Sequence, residues 1–319
     1  MADLAVVLVT WNVRDLIGAA LRSLYDDLAD SGLDAAVYVV DSASSDGTAD
    51  YVAAEFPLAH LITSETNLGF GRGNNTALRA IGFDESKTSD DDLPRAVYLL
   101  NCDTITQPGA TRALFDALMT LPRAGLVGAR LTYGDGSFQH GAFAFPGLRQ
   151  LWAEFFPIPG RFMLGRFNGR YPREWVDAGQ PFPVDFTLGA TMMLRREIIQ
   201  QTGMFDESFF MYCEEIDWAW RIQRAGWGVY CVPAAHVVHL GGQSTSQVRP
   251  RSIVDLWTSR LQLFDKYYPR WKRFLARRMI AIGMQRKIQQ TEADKTVTAE
   301  DRTAVIDAYR QVIQLAEGA

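Results

Sequence analysis

Leu4-Ala-Val-Val-Leu-Val-Thr10 is an uninterrupted apolar run closed by one threonine. Short, β-branched and free of polar alternation, it reads as a strand buried on both faces. Apolar residues then recur at helical spacing from Leu16 to Leu24. Val37-Tyr-Val-Val40 is a second strand ending at Asp41, and Ser44-Ser-Asp-Gly-Thr48 offers capping chemistry for a helix running through Phe56. His60 to Thr63 reads as a third strand and Ala96 to Leu100 as a fourth. Strand and helix in alternation predict an α/β fold: a parallel sheet covered by helices, with ligands held at the carboxyl ends of the strands. Polar residues gather at those ends: Thr10-Trp-Asn12, Asp41, Asn67 and Asn101-Cys-Asp103.

The 319 residues suffice for one large or two ordinary domains, and 48% hydrophobic against 22% charged residues suits a globular core. A net charge of −5 gives no reason to expect nucleic acid as a partner. Three scattered cysteines, Cys102, Cys213 and Cys231, argue against a disulfide framework or a structural zinc site and for a cytoplasmic location. The N-terminus lacks a basic secretion signal, and no apolar run approaches the ~20 residues of a membrane span. Residues 84–93 read as an acidic surface loop. The aromatic, Gly- and Pro-rich stretch from about 130 to 185 reads as long loops with short elements around an acceptor cleft, or as a plain aromatic core.

Four segments carry candidate chemistry. In Asn67-Leu-Gly-Phe-Gly-Arg-Gly-Asn-Asn75 three alternate glycines precede a helix, where backbone N–H groups can approach an anion. The spacing is not that of a dinucleotide fingerprint, and a structural turn is the local alternative. In Asn101-Cys-Asp103 a carboxylate at a buried strand end can hold a hard divalent cation against phosphate oxygens, or can cap the helix beginning near Pro108-Gly109. In Glu214-Glu-Ile-Asp217, set among aromatics, a helix puts Glu214 and Asp217 on one face and Glu215 about 100° away. One carboxylate can then face a cleft while Asp217 pairs with Arg221. In Ala235-His-Val-Val-His-Leu-Gly-Gly242 two of the four histidines adjoin a Gly-Gly pair; a lone histidine is more often structural, but with a carboxylate site already read this pattern shifts toward metal or phosphate ligation.

Taken in order with Val9-Thr-Trp-Asn12, Val40 to Thr48, Gly189-Ala190, Gly203-x-Phe-Asp-Glu207 and Phe209 to Arg221, these segments resemble the family 2 glycosyltransferases of the GT-A fold, in particular the bacterial rhamnosyltransferase-like branch. The resemblance covers residues 4 to 268. It implies a Rossmann-like, mostly parallel sheet flanked by helices in a catalytic domain over 1–245, the nucleotide-sugar half about 1–130 and the acceptor half about 131–245. A helical C-terminal extension follows over 246–319. It further implies an inverting transfer of a sugar, rhamnose from dTDP-rhamnose being the first candidate, to a hydroxyl of a glycan or lipid-linked glycan for the cell envelope. Thr10, Asn12 and Asp41 would hold nucleobase and ribose. Asn67, Gly69 and Asn74 would line the nucleotide pocket. Asp103 corresponds to the last Asp of the family's D-x-D motif and would bind Mg²⁺ or Mn²⁺ with His239. Asn101 replaces the motif's first Asp. Glu215, or its neighbour Glu214, would be the catalytic base.

Two other functions suit a similar sheet. A nucleotidyltransferase forming sugar nucleotides would ordinarily carry a Gly-rich basic loop after the first strand, where this chain has Trp11-Asn-Val-Arg14. A non-catalytic carbohydrate-binding protein would not need Asp103, Glu215 and His239 together. Beyond these, residues 259–287 carry nine basic residues from Arg260 to Lys287 against Asp265, interleaved with Tyr267, Tyr268, Trp271, Phe274, Leu275, Met279 and Ile280. Read as one helix, this is an interfacial element for anionic lipid at the inner face of the plasma membrane, or a packed helix with a solvated basic face. Residues 298–316 read as a further helix, a packing element or an oligomer contact.

Overall fold

The computed structural model describes residues 2–83, 92–241, 249–294, 296 and 298–318; most of the acidic 84–93 segment and Gly242 lie outside these. The chain divides into two compact units, one formed by residues 1–144, 171–208 and 214–244, the other by 145–170, 209–213 and 245–319. Residues 145–170 thus group with the C-terminal helices and not with the remainder of 131–245.

The first unit opens with the expected alternation: β1 (Leu4–Thr10), α1 (Arg14–Ser31), β2 (Ala35–Asp41), α2 (Thr48–Glu55), β3 (His60–Thr63), α3 (Gly69–Ile81) and β4 (Ala96–Leu100). A short β5 (Thr104–Thr106), α4 (Ala110–Thr120) and β6 (Ala124–Thr132) follow, then the two-residue β7 (Phe138–Gln139) and β8 (Ala142–Phe143). The second unit takes the next two helices, α5 (Leu148–Phe155) and α6 (Gly160–Met163). The chain returns to the first unit for α7 (Arg173–Asp177), β9 (Phe182–Val184), β10 (Phe186–Thr187), β11 (Thr191–Arg195), α8 (Arg196–Thr202), α9 (Glu214–Arg224) and β12 (Gly228–His239). It ends in the second with α10 (Arg249–Tyr267), α11 (Arg270–Ala293) and α12 (Ala299–Glu317).

The sheet runs β3-β2-β1-β4-β11-β6-β12-β5. Its first four strands are parallel, in register Thr10↔Asp41 and Asp41↔Thr63, so the polar strand ends line up along one edge. β11 enters antiparallel between β4 and β6, and β5 pairs antiparallel with β12. The apolar strands meet Ile17, Leu21 and Leu24 of α1 and Leu114 and Leu118 of α4. At ~25 cal/mol per Å² of apolar surface, burial of this kind is the main force holding the layers.

Several local expectations need correction. The glycine segment does not precede a helix: α3 begins at Gly69, so Gly71 and Gly73 lie within it. A methyl on Gly73 would come 2.7 Å from Val9 Cγ1, so this glycine lets α3 press onto β1. α2 starts behind Gly47 (φ 81), and Asp46 accepts the Thr48 N–H at 3.0 Å. The cap of α4 is not Asp103 but Asp27 of α1, whose carboxylate accepts from Gly109 N at 2.5 Å and Thr111 N at 2.8 Å. The basic C-terminal stretch is not one helix. Pro269 cannot donate an N–H and separates α10 from α11. In this second unit Leu151, Phe155, Trp257, Phe264, Ile280, Met284 and Val312 form the core. No helix among the described residues is long and apolar enough to cross a membrane.

Candidate active site

At the ends of β1 and β2 the chain ties two loops together. Thr10 Oγ1 donates to Asp41 Oδ2 at 3.1 Å, while Ser44 N donates to Asp41 Oδ1 at 3.0 Å. Asn12 N donates to Ser44 Oγ at 2.9 Å, and Asn12 Oδ1 accepts from Ser45 N at 2.8 Å. Asn12 and Ala43 stand at positive φ (52 and 63), a conformation costing about 1–2 kcal/mol for a residue with a Cβ. Such strain gathers where loops are shaped for a ligand. Thr10 and Asp41 are buried, and part of their hydrogen-bonding capacity, like that of Asn12, is spent on building the loops.

Across the sheet edge, Asn67 Oδ1 accepts from Gly69 N at 2.9 Å, and Gly69 itself has φ 71. Only a residue without a Cβ takes this turn cheaply. Asn74 bonds within its own helix, Nδ2 donating to Phe70 O at 2.9 Å. The neighbouring Asn75, to which the sequence assigns no role, reaches out of it: Oδ1 accepts from Phe205 N at 3.0 Å and Nδ2 donates to Phe205 O at 2.9 Å. Glu207 closes the same contact through Asn75, Arg79 and Arg72. Burial alone would raise the Glu207 carboxyl, but the Asn75 and Arg79 hydrogen bonds and the two guanidinium charges outweigh it and hold the pKa low.

The β4 end holds the densest constellation. Asn101 N donates to Ala190 O at 3.0 Å, and Thr104 Oγ1 donates to Asn101 O at 2.7 Å. β5 and β12 pair with Thr104 opposite His239, which brings His239 beside Asp103, both nearly enclosed. His239 Nε2 lies 3.4 Å from Asp103 Oδ1 and 3.4 Å from Asn101 Nδ2. Gln139 Oε1 sits 3.2 Å from His239 Nδ1. An amide oxygen can only accept, so the ring proton belongs on Nδ1 and a neutral ring presents its Nε2 lone pair toward Asp103. Nε2 can accept from the Asn101 amide, and a cation seated beside Nε2 and Asp103 Oδ1 would satisfy the lone pairs of both. The residues therefore fit a hard or borderline divalent ion. Among the described residues no group of three His, Cys, Asp or Glu gathers as a self-sufficient metal cage. An ion shared with substrate phosphates usually takes only one or two protein ligands. Cys102, between the two polar residues, faces the core instead; burial, aided by the Asp103 charge, pushes its thiol up to about 12.

His236 and His239 are three apart on a strand and so point to opposite faces. His236 Nε2 meets Thr132 Oγ1 at 3.0 Å, away from the Asp103 corner. Burial and then the charge of Arg130 lower its pKa.

The acidic segment forms the first turn of α9, entered through Tyr212 and Cys213 at φ 70 and 66. Asp217, fully buried, accepts from Arg221 Nε at 2.9 Å, while Arg221 also donates to the carbonyls of Thr202 (2.5 Å) and Met204 (2.8 Å). This pair fixes the Gly203–Glu207 loop on α9. Glu214 is buried and Glu215 half-buried. Glu215 flanks Gly189, where a methyl would sit 3.9 Å from Glu215 Cβ and 3.5 Å from the Phe70 ring. Gly189 directly precedes Ala190, the partner of Asn101, so Glu215, α3 and the Asp103 corner adjoin one short loop.

Residues 5–203 match the family described as Glycosyl transferase family 2. The chain is 30% identical over 216 residues to N-acetylglucosaminyl-diphospho-decaprenol L-rhamnosyltransferase of Mycobacterium tuberculosis, covering 66% of this chain and 68% of that one. Two solved structures share the fold: GalNAc-T7 with UDP, GalNAc and Mn²⁺ (TM-score 0.58, 12% identity, 98% of this chain and 56% of that one), and the mannosyltransferase PcManGT from Pyrobaculum calidifontis with GDP-Man and Mn²⁺ (TM-score 0.52, 18% identity, 98% and 86%). With its strand-end motifs gathered on one edge of a GT-A sheet and its sequence matched across that sheet, the chain is a glycosyltransferase and belongs to glycosyl transferase family 2.

Proposed function

We propose that the protein is a metal-assisted, inverting enzyme that transfers a deoxyhexose, rhamnose from dTDP-rhamnose first among donors, to a hydroxyl of a lipid-linked glycan. The observation that carries the reading is the Asp103–His239 corner, where two buried lone-pair donors face each other at 3.4 Å beside Asn101. The name of the mycobacterial relative supports the sugar and the lipid-linked acceptor, and the Mn²⁺ of the two structural neighbours supports the ion.

Asp103 and His239 would hold Mg²⁺ or Mn²⁺, which neutralises charge developing on the departing diphosphate. Thr10, Asn12 and Asp41 receive nucleobase and ribose. Asn67, Gly69, Asn74 and Asn101 line the nucleotide side, where the α3 N-terminus favours negative charge. Glu215 is the base: unlike buried Glu214 it is half-exposed, and it adjoins the Gly189 loop. It accepts the acceptor hydroxyl's proton as that oxygen attacks the anomeric carbon from the face opposite the leaving group. One displacement inverts the centre, so no enzyme nucleophile is needed.

The test is thermal unfolding with a panel of sugar nucleotides, with and without Mn²⁺, since a ligand selective for the native state raises its stability. A shift with dTDP-rhamnose that requires Mn²⁺ and vanishes in His239→Ala is expected. Equal shifts with and without metal would remove the ion from the reading.

A further inference from the structure

α11 presents an outward face that carries four large apolar side chains. Trp271 (57% exposed), Phe274 (58%), Leu275 (42%) and Ile282 (50%) follow one another at helical spacing. Ala276, Ile280, Gly283 and Met284 point the other way into the core. The outward row from Trp271 to Arg286 extends about 22 Å at 1.5 Å per residue. Folding therefore divides the apolar residues of the basic segment: Ile280 is enclosed, whereas the four outward ones are left in water. A large side chain is not exposed four times along one helix face at random, and runs of this kind mark interaction surfaces.

The charges around the face select its partner. α11 holds seven Arg and Lys against Glu292 alone, in a chain whose net charge is −5. Arg273 and Arg277 are drawn to Asp265. Arg270, Lys272, Arg278, Arg286 and Lys287 have no carboxylate within ion-pair distance among the described residues. Instead Lys272 lies over Trp271 (5.6 Å), Arg278 over Phe274 (5.4 Å) and Arg286 over Phe156 (5.4 Å). Cations beside exposed aromatic and aliphatic side chains match a surface that offers anions and, just beneath them, hydrocarbon. A second copy of this chain fits poorly, because a two-fold contact would bring the same cations face to face. A nucleic acid would meet the cations but leave Leu275 and Ile282 without an apolar partner.

We propose that this face of α11 seats the protein on a bilayer bearing anionic lipids, with Trp271, Phe274, Leu275 and Ile282 in the headgroup–acyl boundary and Arg270, Arg278 and Arg286 against the headgroups. Attachment is peripheral and reversible. It is independent of the transfer chemistry, because no donor, metal or acceptor takes part in it.

The experiment is co-sedimentation of the full chain with phosphatidylcholine vesicles, with and without phosphatidylglycerol, at low and high salt and without sugar nucleotide. Binding should need the anionic lipid and fall with salt. Arg270→Glu/Arg278→Glu/Arg286→Glu should lower the partition coefficient by at least about 100-fold, at roughly fivefold per lost cation. Trp271→Ser/Phe274→Ser/Ile282→Ser should weaken it also at low salt, where charge alone remains. All six sites face solvent, and an unchanged melting temperature will show that the variants fold. Equal partition to both vesicle types, or full binding by both variants, overturns the proposal. So does light scattering that finds a dimer in the native chain and a monomer in the serine variant, which would make the face a contact between copies.

Discussion

Replacing Gln139 with leucine tests how the imidazole of the proposed metal corner is held. Gln139 Oε1 is 3.2 Å from His239 Nδ1, and both residues are nearly enclosed. Leucine keeps the bulk but cannot accept a proton. The Nδ1–H is then a buried donor without a partner, at about 1–3 kcal/mol. The ring can escape that cost by moving its proton to Nε2, where Asp103 Oδ1 lies 3.4 Å away as acceptor. That places a proton where the proposed cation would sit, and ion binding would have to reverse the exchange. The same 1–3 kcal/mol then appears as weaker metal affinity, consistent with the roughly 10–100-fold losses seen when a ligand's orienting partner is removed. Calorimetric titration of Mn²⁺ into protein saturated with dTDP measures it directly. Gln139→Leu should lose about 10–100-fold, Gln139→Glu should retain affinity because its carboxylate still accepts, and His239→Ala should lose more than either. Wild-type affinity in Gln139→Leu, with His239→Ala impaired, would show that the glutamine does not govern the ring. Wild-type affinity in both would remove the ion from this corner.

Three further outcomes are expected. Glu215→Gln should cut turnover by about 10²–10⁴-fold while leaving donor binding intact; unchanged turnover in a coupled nucleoside-diphosphate assay would exclude Glu215 as base. Gly73→Ala should destabilise by up to about 2 kcal/mol: overpacking against Val9 costs about 1–3 kcal/mol and better helix propensity returns about 1. A gain in the urea midpoint would contradict the close approach of α3 to β1. For His236, burial and then Arg130 hold the pKa below its ordinary 6.5. The unfolded chain thus takes up this proton first, so the contribution to stability is complete above about 6.5 and is lost as pH falls through the lowered native value. His236→Gln should flatten the decline of the urea midpoint over that range, and an equally steep decline in the variant would refute the assignment.

Much of this was written locally in the chain. Short runs rich in β-branched residues, set between helical patterns, favour strands, so Leu4–Thr10, the strand ending at Asp41, His60–Thr63 and Ala96–Leu100 declared the parallel half of the sheet, and with it the edge where Thr10, Asp41 and Asp103 stand. The i,i+4 spacing of Asp217 and Arg221 likewise foretold their pairing. Other features depend on partners far away in sequence. Asp27 caps α4 across 82 residues, and Asn75 binds Phe205 across 130. No short-range pattern marks either one. Gln139, 100 residues before His239, sits in a two-residue strand too brief for periodicity to register.

Sequence alone therefore determined the α/β class and the first four strands with their intervening helices, because strand patterning and helix periodicity are local properties. Only the tertiary structure decided which residues meet. It placed β11 antiparallel within the sheet, brought Gln139 to the His239 that adjoins Asp103, and turned Trp271, Phe274 and Ile282 outward while enclosing Ile280. Strand direction, register and facing are fixed by the sum of many distant contacts; a shift of one residue turns a strand side chain to the opposite face and a helical one by about 100°.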